Sequence, residues 1–153
     1  MISRLRLGIA AAIVACTLPG LAAATIATTQ SMEAARVVAT VHLSSQTMVV
    51  KKDGLTIAEW PVSTARRGKI TPTGAFTPEY LSRYHKSSRY NNAPMPYSIF
   101  FHGHYAVHGT DQISRLGRPA SAGCVRLHPE NAAKLFEMTK AVGLEHVQIV
   151  IVD

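Results

Sequence analysis

Paired cysteines are missing from this chain. Only Cys16 and Cys124 occur in its 153 residues, and no Cys-x-x-Cys spacing is present to share a structural zinc ion. There is no internal repeat, no low-complexity tract and no composition shift that would mark a second folded domain. Acidic residues are scarce, 9 Asp and Glu against 16 Lys and Arg, for a formal net charge of +7 at pH 7. The basic side chains are scattered rather than clustered, which argues against nucleic acid as a partner and suits an anionic surface such as cell wall or phospholipid head groups. No apolar run reaches the roughly 20 residues that a membrane-spanning helix needs. The longest candidate, starting at Leu7, is interrupted by Pro19 and Gly20.

That N-terminal stretch has another pattern. Arg4 and Arg6 precede the apolar run Leu7 to Val14, and "LPGLAAA" closes the segment at Ala24. Charged, apolar and small-residue regions in this order form a secretory signal peptide, expected to span residues 1–24 and to be cut after Ala24. The protein is therefore expected to be exported to the periplasm or cell wall, with no stable membrane span after cleavage. A membrane anchor is one alternative. A lipoprotein signal modified at Cys16 is another, although Ile13 departs from the leucine usual in such signals. Cleavage removes Cys16, leaves Cys124 as the only cysteine, and lowers the net charge to +5, with 14 basic residues against 9 acidic ones. A lone thiol in an oxidising compartment is either buried and inert or kept for its reactivity.

The remaining sequence is rich in strand signals. Residues 25–35 are small and polar and read as a flexible lead-in; residues 36–153 read as one domain. On both sides of "KKDG", apolar and polar residues alternate, and Asp53-Gly54 is a turn signal, so a β-hairpin is expected. "TARRGKITPTGAFTPEY" reads as a loop leading into a short strand at Gly74 to Thr77. "LSRYHKSSRYNNAPMPY" is polar and broken by proline, and reads as an exposed loop able to line a cleft. "SIFFHGHYAVHGT" holds two short strands joined at His102-Gly103-His104. One helix is expected from Pro129, with Ala132, Ala133, Leu135, Phe136 and Met138 at helical spacing and Gly143 as its end. "EHVQIVIVD" closes the domain as a strand.

A catalytic thiol needs a base or cation nearby and donors for the oxygen that becomes negative. His108 is the best-placed base, since it follows the strand "YAV", precedes a glycine and is joined to Cys124 by one loop. Gly123 would let a carbonyl approach the backbone, with N–H groups near Cys124 forming an oxyanion hole. His108 and Gly123 are expected to hold Cys124 below the ordinary thiol pKa. Spacing alone leaves Cys–His catalysis open beside plainer roles, a turn histidine and a small buried cysteine. His102, His104 and His108 form a further series that could bind a metal ion if one unbroken strand carried them, a condition Gly103 works against.

"VHGT", a loop containing "LGRPAS", and "GCVRL" before a short helix resemble the active-site block of the L,D-transpeptidase catalytic domains that cross-link bacterial peptidoglycan. "VHLSSQTMVVKKDG", "WPVST", "TPTGAF" and "APMPYSIFF" follow that family's order, so the resemblance covers nearly all the mature chain. It implies a mainly β, β-sandwich-like domain with one clear helix near the C-terminus. It also implies Cys124 as acyl-accepting nucleophile, His108 as base, and the Gly109 carbonyl as the group orienting that imidazole. Ser121 and Arg126 fall at positions that shape the site and bind substrate, with Arg126 suited to a carboxylate. The implied partners are peptidoglycan stem peptides; no cofactor and no metal are implied. Ala122 departs from the histidine most often found there. Related outcomes are a carboxypeptidase, a D-amino-acid exchange enzyme, or a non-catalytic peptidoglycan-binding protein.

Overall fold

The structure, a computed structural model, describes residues 36–153; the expected signal segment 1–24 and lead-in 25–35 lie outside the described residues. Strands β1 (Val37–His42), β2 (Thr47–Lys52) and β3 (Leu55–Pro61) form a meander, and β4 spans Gly74–Phe76. A hairpin follows, β5 (Tyr80–Lys86) and β6 (Pro94–His102), then β7 (Tyr105–Gly109) and β8 (Val125–Leu127). Helix α1 (Pro129–Val142) and strand β9 (Val147–Val152) complete the described chain. The result is mainly β with two sheets, ordered β3-β2-β1-β9-β4 and β5-β6-β7-β8.

Alternation explains the first sheet. Val37, Ala39 and Val41 of β1 are buried while their neighbours are not, and Val147, Ile149 and Ile151 of β9 repeat the pattern in parallel register beside them. Period-2 side chains therefore put one face of each strand into the core. From the second sheet Ile99, Phe101, Val107, Val125 and Leu127 enter the same cluster, and α1 adds Ala132, Leu135 and Phe136. Removing this apolar surface from water is the dominant favourable term, worth roughly 1.5–3 kcal/mol for each large side chain fully buried. The helix begins where expected, with Pro129 in the first turn and the His128 imidazole accepting from Glu130 N–H at 3.3 Å. Gly143, at φ 92°, ends it and donates its N–H to Thr139 O.

Two expectations are corrected by the structure. The alternating region before Asp53-Gly54 is two strands rather than one hairpin arm, because the chain turns back at residues 43–46 with Gln46 at φ 53°. The stretch expected as an exposed loop is largely the β5–β6 hairpin. β5 lies at a sheet edge, pairing only with β6, so its polar residues and the exposed Tyr84 mask the apolar alternation that marks a half-buried strand. Pro94 opens β6, a position where its missing N–H is tolerated, and Tyr97 takes a positive φ of 56° one residue after Pro96. Only residues 87–93 remain as the turn, with Asn91 and Asn92 at positive φ.

The 43–46 turn also braces the chain that later holds the cysteine. Gln46 Nε2 donates to Leu43 O at 2.7 Å and Thr64 Oγ1 at 2.6 Å, while Thr64 N–H donates to Gln46 Oε1 at 2.9 Å. Gln46→Leu would leave the buried Thr64 N–H without its partner, a loss of about 1–3 kcal/mol. Urea denaturation should show a lower midpoint with an unchanged m-value.

Candidate active site

The two parallel strands β7 and β8 carry the candidate chemistry. Their register sets Val107 beside Val125, His108 beside Arg126 and Gly109 beside Leu127. Val107, Val125 and Leu127 face the core, so the alternate positions turn the other way. His108, Arg126 and Cys124, the residue just before β8, accordingly line one cleft of about 920 Å³. Cys124 rests against a small apolar patch of Met95, Phe100 and Ala106 at the base of that cleft.

The turn before the cysteine is fixed from both sides. Ser63 and Arg126 exchange backbone hydrogen bonds, and Thr64 O accepts from Ala120 and Ser121 N–H. Thr71 Oγ1 accepts from Ala65 N–H and donates to Gly123 O at 2.7 Å. Gly123 N–H donates to Ser121 Oγ at 3.0 Å. At φ +140°, Gly123 holds a conformation that other residues rarely adopt, and a Cβ there would sit 2.7 Å from the Tyr105 ring and 2.9 Å from Ile70 O. Glycine is required at this position for both reasons.

The imidazole of His108 is buried, and its Nδ1–H donates to Gly109 O at 2.7 Å. This fixes the tautomer and leaves Nε2 as the basic nitrogen. Burial lowers the His108 pKa to about 4, with the bond to Gly109 opposing the shift and the charge of Arg126 reinforcing it. Cys124 differs from the sequence expectation. Burial pushes its thiol above the usual value, outweighing the backbone N–H of Ala106 and the positive charge of Arg126. Between about pH 5 and 8 the pair is therefore a neutral thiol and a neutral imidazole. Arg126 is partly buried and lowered by desolvation, while its Nη1 donates to the neutral Gln112 Oε1 at 3.1 Å.

The structure thus brings Cys124, His108, Gly109, Gly123, Ser121 and Arg126 together, with two adjustments. The Ser121 hydroxyl is buried and committed to Gly123 N–H, so it shapes the turn rather than presenting a free group. Gly123 N–H is occupied by the same bond and would have to exchange it to meet an oxyanion. The three histidines considered for a metal do not converge. His102 packs on Phe76 and Tyr105, His104 lies tilted against the Tyr105 ring, and His108 lies buried on β7, and no metal-binding group of three or more occurs among the described residues. Sequence reasoning missed Thr71, Tyr105 and Arg66. Thr71 opens "TPTG", a tract singled out for its order in the chain but not for any contact with Gly123. Of the residues expected as an exposed loop, Ser87, Arg89 and Tyr90 do line the cleft.

The fold is thus a two-sheet β domain with one cleft lined by His108 of β7 and by Cys124 just before β8. Residues 36–151 match the model of the YkuD family, described as an L,D-transpeptidase catalytic domain, and the chain belongs to that family. A curated relative, the putative L,D-transpeptidase YkuD of Bacillus subtilis (strain 168), is 24% identical over 99 residues, covering 62% of this chain and 56% of the relative. An L,D-transpeptidase from Stackebrandtia nassauensis shares 28% identity at a TM-score of 0.67, over 76% of this chain and 55% of that one. One from Mycobacterium smegmatis has the same fold, with a TM-score of 0.69 at 22% identity, over 78% of this chain and 59% of that one. The chain thus spans between half and two thirds of the length of these relatives.

The lowered His108 pKa sets a pH dependence of stability. Between about pH 4 and the ordinary histidine value of 6.5, the unfolded chain binds the proton and the folded one does not, so stability rises with pH through this window. The contribution is complete above pH 6.5, is lost as pH falls through 4, and amounts to about 3 kcal/mol. Urea midpoints measured from pH 4 to 7 should rise steeply in the native protein and less so in His108→Gln.

Proposed function

We propose that the protein is an exported L,D-transpeptidase acting on the tetrapeptide stems of peptidoglycan through a Cys124 acyl-enzyme. The observation that carries this reading is the placement of Cys124 and His108 in one cleft, with His108 Nδ1 held by Gly109 O so that Nε2 is the free base. As Cys124 Sγ attacks the carbonyl carbon of the third residue, a diamino acid, Nε2 accepts the thiol proton. The tetrahedral oxyanion turns toward the N–H groups around Cys124. The imidazolium formed in this step is destabilised by burial and by Arg126, so it readily passes its proton to the departing nitrogen. The C–N bond breaks, D-alanine leaves, and a thioester remains on Cys124.

The second half reverses the roles. An acceptor amine attacks the thioester, His108 takes a proton from its nitrogen, and the thiol is regenerated with that proton. If the amine belongs to a neighbouring stem, the product is a cross-link. Arg126 binds a substrate carboxylate, and its charge also favours the sulfur anion as it develops. Ala122 contributes no proton-carrying group, which leaves His108 as the base on the strand beside the thiol.

The test is D-alanine release from a tetrapeptide donor, with intact-protein mass following the covalent adduct. Cys124→Ala should abolish both. His108→Ala should retain a slow reaction, roughly 10²–10⁴-fold down. Arg126→Ala should mainly raise KM, by the equivalent of about 1.5–3 kcal/mol for a lost charged hydrogen bond. Wild-type release from Cys124→Ala would exclude the thiol mechanism.

A further inference from the structure

The cleft is more cationic than one substrate carboxylate requires. Arg66, Lys69, Arg89 and Arg126 line it, and Asp111 is the only carboxylate that does. The ion pairs among the described residues, Arg36 with Asp53, Arg83 with Glu137 and His146 with Glu145, all lie elsewhere. Two of the cleft cations are held in place by the backbone that frames Cys124. Arg126 is on β8, two residues beyond the thiol. Arg66 lies on the segment running beside the turn, where its own N–H and its Nη1 both donate to Ser121 O, at 3.0 and 3.1 Å. Each guanidinium thus uses one donor group on a neutral oxygen, Ser121 O or Gln112 Oε1, and keeps the rest of its fork. Arg66 and Arg115 also act on Arg126 as unfavourable like charges. Like charges placed this firmly beside a nucleophile, with no carboxylate bonded to them, are complementary to an anionic ligand.

Resting on the transfer reading above, we propose that Arg66 and Arg126 form a two-arginine clamp selecting acyl donors with a second free carboxylate, Arg66 being the residue that reads it. The terminal D-alanine supplies the first carboxylate. The second belongs to the third residue of the stem, whose carbonyl is bonded to Cys124 in the intermediate and which is therefore held inside the cleft. The donor class is then a stem whose third residue is a diaminodicarboxylic acid with its side-chain carboxylate free, rather than amidated. A primary amide at that position would present a neutral group to the guanidinium and leave the cationic pair uncompensated.

The experiment compares two synthetic tetrapeptide donors that differ only in this carboxylate, free acid against primary amide. D-alanine release is measured with the native protein, Arg66→Gln and Arg66→Lys. The native protein should show a kcat/KM at least about tenfold higher for the acid, with the preference shrinking as salt rises. Arg66→Gln should bring the acid-to-amide ratio of kcat/KM to about one, whatever its effect on overall turnover, and Arg66→Lys should restore part of the preference. Native turnover of both donors within about twofold, or equal loss on both donors in Arg66→Gln, would overturn the clamp while leaving the transferase reading intact. Absence of release from either donor by the native protein would overturn both.

Discussion

The parallel ladder between β7 and β8 is the constraint on which the site depends. Its register sets His108 beside Arg126 and brings Cys124 to the edge of the same strand pair, while Val107 and Val125 anchor the opposite face in the core. One set of backbone hydrogen bonds therefore fixes both the packing and the chemistry. A one-residue slip would turn the apolar valines into the cleft and the imidazole into the core, an exchange opposed by every buried contact on both faces. The hydrogen bond from His108 Nδ1–H to Gly109 O is made between neighbours on that strand, so the imidazole is oriented by the ladder itself without a carboxylate.

Burial determines the protonation of the pair. Each group loses solvation in its charged form, and these losses outweigh the single hydrogen bond that favours each ion. The resting cleft consequently holds a neutral thiol and a neutral imidazole. Such an arrangement protects Cys124, the only cysteine among the described residues, from adventitious oxidation, because the thiolate is the reactive species. Arg126 is the partner that matters differentially. It disfavours the imidazolium and favours the sulfur anion.

The elements with local signals were legible from the sequence. Asp53-Gly54 at φ 47° and 81° makes the expected hairpin turn, and α1 runs from Pro129 to the stop at Gly143. Cys124, His108 and Gly123 could be picked out as candidates because a thiol, a base and a close backbone approach call for those residue types, whereas the orienting role of the Gly109 carbonyl came only through the family resemblance. The features that escaped notice are relations between distant segments. The β5 strand was hidden by its edge position. Arg66 sits in a Gly-rich tract that reads only as loop, and its link to Ser121 spans 55 residues. The raised thiol pKa was misjudged because Met95, Phe100 and Ala106, which dehydrate Cys124, come from two other strands.

The most direct measurement of this account is the alkylation rate of Cys124 as a function of pH in the native protein. A neutral resting pair predicts a rate that stays low through neutral pH and climbs with an apparent pKa above the ordinary thiol value of about 8.5. A rate already at its plateau near pH 7, with an apparent pKa well below that value, would show a preformed thiolate–imidazolium pair and contradict it.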